Sequence, residues 1–323
     1  MLSRIADSLY WMARYLERAD DTARLLESHL AQVLEAESPL PESAEWKPLL
    51  AIAGLEDAYK ETWPGEPVTA KRVLEFLTAG REGASSIRGC LRLARENARV
   101  VRDRISGEMW ECLNELWLHT AERLRSGLTL ERAPGLYRTI RREIARFQGL
   151  ASGTMTRGEH FGFYLLGLFT ERADMTARVL DVKYHLLLPD LGLVGSALDY
   201  YQWAGLLKTL SGFEAFRRRY HGGLRPIDVA ELALFDADFP RSLRFAVDRI
   251  AQALASIGGV EGGGAPQALA ALDALLATSD PEKVFARGLH EFLGDFLERV
   301  ATLHAAVHDD YFEARIGATA CAT

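Results

Sequence analysis

The sequence predicts an all-α protein, and three observations carry that prediction. Apolar residues recur at helical spacing along nearly the whole chain, no stretch alternates like a half-buried strand, and one helical segment is spelled twice. "YLERADDTARLL" at Tyr15 to Leu26 returns as "FTERADMTARVL" at Phe169 to Leu180. The likeness runs beyond these blocks. Glu17 and Glu171 lie 154 residues apart, and Trp46, Leu49 and Leu50 match Trp203, Leu206 and Leu207 at an offset of 157. Ser86-Ile87-Arg88 returns as Ser242-Leu243-Arg244 at 156, and Leu136, Ile140, Ile144 and Leu150 meet Leu289, Leu293, Leu297 and Leu303 at 153. The expected architecture is a helical bundle of two tandem, pseudo-two-fold-related repeats of about six helices each, residues 1–153 and 154–323, packed as one unit.

The elements follow in order. A first helix is expected over Ser3 to Glu35, stopped by Pro39 and Pro41. Helices over Glu45 to Tyr59, Thr69 to Thr78, Ser85 to Ile105, Glu108 to Leu124 and Gly135 to Ser152 come next. A second long helix starts near "TRGE", where Thr156 and Glu159 have capping-box spacing, and ends before Pro189. Four or five more complete the chain, the last over Pro281 to Ile316, with "GGVEGGGAP" at Gly258 to Pro266 as a loop.

Composition narrows the function classes. With 323 residues, 48% of them hydrophobic, the chain can bury one large core or two ordinary ones. A net charge of -7 argues against general nucleic-acid binding, and no apolar run approaches the length of a membrane helix. Charges at Arg4, Asp7 and Arg14 interrupt the start, which lacks a secretory apolar segment, so a cytoplasmic location is expected. Cys90, Cys112 and Cys321 form no CxxC pair and fit reduced structural thiols.

On the first long helix, Ile5, Leu9, Met12, Leu16, Ala19, Ala23, Leu26, Leu30 and Val33 form one stripe, matched in the second by Phe163, Leu166, Thr170, Ala173, Ala177, Leu180, Tyr184 and Leu187. The alanine pairs Ala19/Ala23 and Ala173/Ala177 mark the expected crossing of the two helices. Tyr10, Trp11, Tyr15 and Leu25 add bulk off the stripe, so the helix should be enclosed. Charges there need partners. Asp20 and Arg24 can pair one turn apart, and Glu17 and Arg18, on opposite flanks, should each find a partner across helices; Glu171, Arg172, Asp174 and Arg178 should do likewise.

"YWMARYLERADDTARLL", "SSIRGCLRLARENARVVRDRISGEMWECLNELW", "GTMTRGEHFGFYLLGLFTERADMTARVLD" and "FPRSLRF" resemble the bacterial alpha-E family, whose ER pair falls on Glu17-Arg18 and Glu171-Arg172. Arg14, four residues ahead of Arg18, is matched by Leu168 and is a departure between the copies. The resemblance implies a setting beside, or fused to, circularly permuted ATP-grasp ligases, and sometimes near transglutaminase-like proteins. That setting is ATP-driven amide or peptide bond formation.

Three readings fit the ER blocks. They form a buried ion-pair clasp joining the halves; or Glu17 and Glu171 are acid/base groups in a cavity, with Arg18, Arg24, Arg172 and Arg178 holding a carboxylate or phosphate; or Glu17, Asp20, Glu171 and Asp174 hold two metal ions. The metal reading lacks ExxH histidines, and Arg24 and Arg178 repel a cation, so no metal or cofactor is expected. His304 and His308 have ligand-like spacing beside Asp309 but no third partner. A further feature belongs to the first half. Arg88, Arg92, Arg95, Arg99 and Arg102 form a stripe, and residues 81–104, with Arg81 and Arg104 against Glu82, Glu96 and Asp103, carry net +4. The positions after Arg244 are Asp248 and Ala251, so the stripe is a candidate docking or anion-binding face. The expected function is an accessory or scaffold protein for an ATP-grasp amide ligase; the alternative is a transferase or hydrolase acting on a peptide product near Glu17 and Glu171.

Overall fold

The computed structural model describes residues 3–35, 41–80, 83–186, 197–260 and 262–313. Pro39, Arg81, Glu82, Leu187, Pro189, Glu261, Ile316 and Cys321 lie outside them. Among the described residues there are fifteen α-helices and no strand. The first half contains α1 (Ser3–Glu35), α2 (Glu42–Ala53), α3 (Glu56–Thr62), α4 (Ala70–Ala79), α5 (Ile87–Val100), α6 (Gly107–Arg125) and α7 (Ala133–Thr154). Then follow α8 (Glu159–Leu186), α9 (Ala197–Thr209), α10 (Phe213–Arg219), α11 (Pro226–Phe235), α12 (Leu243–Ile257), α13 (Ala265–Ala277), α14 (Pro281–Arg287) and α15 (Leu289–Val307), with a π-helical turn over His308–Phe312.

Several boundaries differ from expectation, and glycine accounts for most of them. The helix expected from Glu45 to Tyr59 is two, because Gly54 takes a left-handed φ of 68° and Leu55 turns its N–H back to the Leu50 carbonyl. The helix expected from Pro281 to Ile316 breaks at Gly288, φ 112°. Gly158, φ 152°, holds the chain out of helical geometry, so α8 begins at Glu159 and Thr156 does not cap it. α5 stops at Val100 rather than Ile105, and nothing in the sequence marks that stop. The two halves accordingly hold seven and eight helices among the described residues instead of about six each.

α1 and α8 lie side by side at the centre. Their successive contacts, Tyr10 by Gly167, Arg14 by Glu171 and Glu17 by Arg172, advance along both helices, which therefore run in the same direction. α5 and α7 pack on α1, while α12 and α15 pack on α8. α6 backs α5 and α7, and α13 backs α12 and α15. α2 crosses to α8, and α9 crosses to α1. Trp46 on α2 and Trp203 on α9 are both fully buried. Ser86 and Ser242 cap α5 and α12 in the same way, their side-chain oxygens accepting from the amides of Gly89 and Phe245. The four stripe alanines are buried without exposure, but a close backbone approach that alanine spacing does not reveal occurs at Gly167, where any Cβ would overlap the Tyr10 carbonyl oxygen.

Candidate functional site

The polar centre is built on the facing flanks of α1 and α8, midway along each. Glu17, wholly buried, accepts a hydrogen bond from Arg172 Nε at 2.6 Å on Oε1 and from Gln148 Nε2 at 2.9 Å on Oε2. Glu171, 1% exposed, accepts from Arg18 Nε at 2.5 Å and Nη2 at 3.0 Å, and from Arg14 Nε at 2.7 Å. Glu17 and Arg18 thus reach separate residues of one helix. Within each helix, Arg24 donates to Asp20 at 2.7 Å and Arg178 to Asp174 at 2.7 and 3.3 Å.

The two ends of this arrangement are not alike. Arg241, in the loop before α12, inserts its guanidinium among three acids of α1: Asp21 at 2.5 Å, Asp20 at 2.8 Å and Glu17 at 3.3 Å. Arg172 Nη1 donates to the Pro240 carbonyl at 3.3 Å and Thr176 Oγ1 to the Arg241 carbonyl at 3.1 Å, which fixes that loop. The sequence reasoning missed Arg241, Asp21 and Gln148. The signals were present: Arg241 lies in "FPRSLRF", and Asp21 is where "ERADD" departs from "ERADM". The ligand-type oxygens of Glu17, Asp20 and Asp21 lie within 4.8 Å of one another, yet a guanidinium already supplies the positive charge a metal ion would bring there.

Electrostatics differ among the acids. Burial would raise Glu171, but Arg18 and Arg14 outweigh it and hold the carboxyl down to about 2. Glu17 is lowered in the same way, with Arg172 and Arg241 overcoming burial. Asp21 goes the other way: burial pushes it up to about 7, Arg241 opposes, and Glu17 and Asp20 add to the rise.

Beside the Glu171 end lies a cleft of about 430 Å³ bordered by Arg18, Asp174 and Arg178 from the central helices and by the segment 83–86 that leads into α5. At the Glu17 end the corresponding positions hold the buried side chains of Phe239 and Arg241.

The arginine stripe is partly engaged within the fold. Arg88 and Arg92 are half-buried on α5. Arg95 donates to Asn114 at 2.8 Å, Arg99 pairs with Glu96 at 2.8 Å, and Arg102, beyond the end of α5, joins Arg95 against the Trp110 ring. The second-half counterpart is neutralised, since Arg244 pairs with Asp248 and with Asp273. His304 and His308 do not converge. The His304 ring lies against Tyr10, its Nδ1 2.9 Å from the phenol oxygen, and burial, then the Arg14 charge, lower it to about 4. His308 lies 3.9 Å from Asp309 and from Glu313 on the exposed surface. Burial pushes the thiols of Cys90 and Cys112 up to about 12 and 11, so neither is a nucleophile at neutral pH. No helix among the described residues is long and apolar enough to cross a membrane.

An all-α bundle whose central helices exchange buried Glu–Arg pairs defines the class of protein. The chain belongs to the Alpha-E family, described as a predicted alpha-helical domain with a conserved ER motif, which matches residues 1–312. It is 24% identical over 324 aligned positions to an uncharacterized protein of Mycobacterium bovis and to two of Mycobacterium tuberculosis. Each alignment covers 95% of this chain and 36% of the relative, so the chain spans about a third of the length of the curated relatives it matches. No solved structure matches.

Proposed function

We propose that the protein is an accessory or scaffold component of an ATP-grasp amide ligase system, built as two fused helical repeats clasped by their ER helices. The observation that carries this reading is the reciprocal pairing of Glu17 with Arg172 and of Glu171 with Arg18, both carboxylates being buried and hydrogen-bonded on each oxygen. A carboxyl held near 2 is a poor proton donor or acceptor at neutral pH, which favours a clasp over acid/base catalysis by Glu171. The matched packing of α5 and α7 on α1 and of α12 and α15 on α8, with their matched serine caps, supports the repeat. That the relatives extend far beyond the aligned region supports a domain acting together with other chain segments. The partner would be a circularly permuted ATP-grasp ligase, with a transglutaminase-like protein as a further candidate, in the cytoplasm. The arginine face of α5, basic on an acidic molecule, is the surface offered to it.

Two measurements test this. Glu17→Ala leaves Arg172 buried without its acid and should lower stability by about 3–5 kcal/mol in chemical denaturation; normal stability combined with loss of pathway activity would favour the enzyme reading instead. Arg99→Glu with Arg102→Glu should abolish co-purification with the ligase encoded beside it at low salt, and unchanged co-purification removes the docking face.

A further inference from the structure

The cleft and its closed twin, taken residue by residue, say what the cleft is built to hold. At an offset of 154, Arg18, Thr22, Glu171, Asp174 and Arg178 around the cleft correspond to Arg172, Thr176, Glu17, Asp20 and Arg24, identical in type. Even the backbone follows, for Arg178 Nη1 lies over Gly54, φ 68°, and Arg24 donates to the side chain of Ser211, φ 53°. Several lining positions differ, and three of them change the space or the charge most. Where the closed end has Phe239, Arg241 and Asp21, the open end has Gly83, Ser85 and Met175. One end therefore carries its own occupant, a guanidinium received by three acids, and the other leaves about 430 Å³, within the range of sites that hold small molecules.

Charge bears on what the cleft can accept. At the closed end three acids, Glu17, Asp20 and Asp21, face three arginines, Arg24, Arg172 and Arg241, and Asp21, raised to about 7, is only partly charged at neutral pH. At the open end Glu171 and Asp174 face Arg14, Arg18 and Arg178, a surplus of one positive charge. The acids sit behind Arg18 and Arg178, with side-chain exposure of 1% for Glu171 and 19% for Asp174 against 28% for Arg18 and 35% for Arg178, while Arg14, 8% exposed, does not border the cleft. Each fork spends Nε and Nη2 on its own carboxylate, so among the described residues Nη1 remains for a second acceptor. The segment 83–86 leads into the first turn of α5, whose amide dipoles add to the positive field, and Met175 and Leu55 give the cleft an apolar wall.

We propose that this cleft binds a small organic molecule through an oxyanion, a carboxylate or a phosphate, held between Arg18 and Arg178. The site does not depend on the accessory reading, since it needs no partner protein. Isothermal titration of the full chain with inorganic phosphate and, separately, with acetate at neutral pH and low ionic strength tests it. Saturable binding of either anion is expected, phosphate indicating a phosphorylated ligand and acetate a carboxylic one. Arg178→Gln, at the rim, should weaken that binding at least tenfold with little change in Tm. The double substitution Ser85→Arg with Met175→Asp rebuilds the twin's occupant and should eliminate binding while the fold persists. Absence of saturable binding by both anions, or native affinity in Arg178→Gln, overturns the proposal whether or not the double variant folds.

Discussion

Asp21 is the residue where the two ends of the centre part company. Its Oδ1 accepts from Arg241, but its Oδ2 is buried without a hydrogen-bond partner, and burial moves its titration from the ordinary 3.8 to about 7. In that window the folded protein holds a proton that the unfolded chain has released, so this residue makes stability decline as pH rises from about 4 to 7. Glu171 acts in the opposite sense: its contribution is present above the unfolded value of 4.5 and is lost as pH falls toward 2. Urea denaturation at pH 5 and pH 7 should therefore show a decline on the order of 2 kcal/mol that disappears in Asp21→Asn. An unchanged slope in that variant would remove Asp21 as its source. Which carboxylates carry ER partners was legible in the repeat itself; the role of Arg241 was not, because a partner more than two hundred residues away in sequence leaves no helical periodicity to follow.

At the scale of elements, the α1–α8 contact depends on one missing side chain. Gly167 lets the backbone of Tyr10 lie against α8, and a methyl group there meets a carbonyl oxygen in a packed core rather than a side chain that could turn away. Gly167→Ala should cost about 1–3 kcal/mol in chemical denaturation. Gly149→Ala on α7, whose Cβ would meet nothing, should be neutral or slightly stabilising, which separates overlap from helix propensity. Full helices with an apolar stripe, α1 above all, were legible to the residue from periodicity, whereas the breaks at Gly54 and Gly288 were missed. A lone glycine inside a helical pattern can be tolerated or can end the helix, and only the packing around it decides which.

Across the whole molecule, the helices are interleaved rather than stacked half upon half. α2 leaves its own half to pack on α8, α9 leaves its half to pack on α1, and Ser28 and Gln32 of α1 donate to the carbonyls of Gly205 and Tyr201. Residues 1–153 alone would expose the face of α1 that meets α8, together with Glu17 and the acids around Arg241. Each half expressed separately should lack a cooperative thermal transition, and mixing the two should restore one; two independently melting halves would show that the interface is dispensable. The sequence by itself determined the all-α class, the two long helices and the repeated acid–guanidinium block, because these are written in local periodicity and in self-likeness. Only the tertiary structure decided that one end of the centre is filled by Arg241 and the other stays open beside Ser85, because which side chain occupies a space depends on loops brought together from distant parts of the chain.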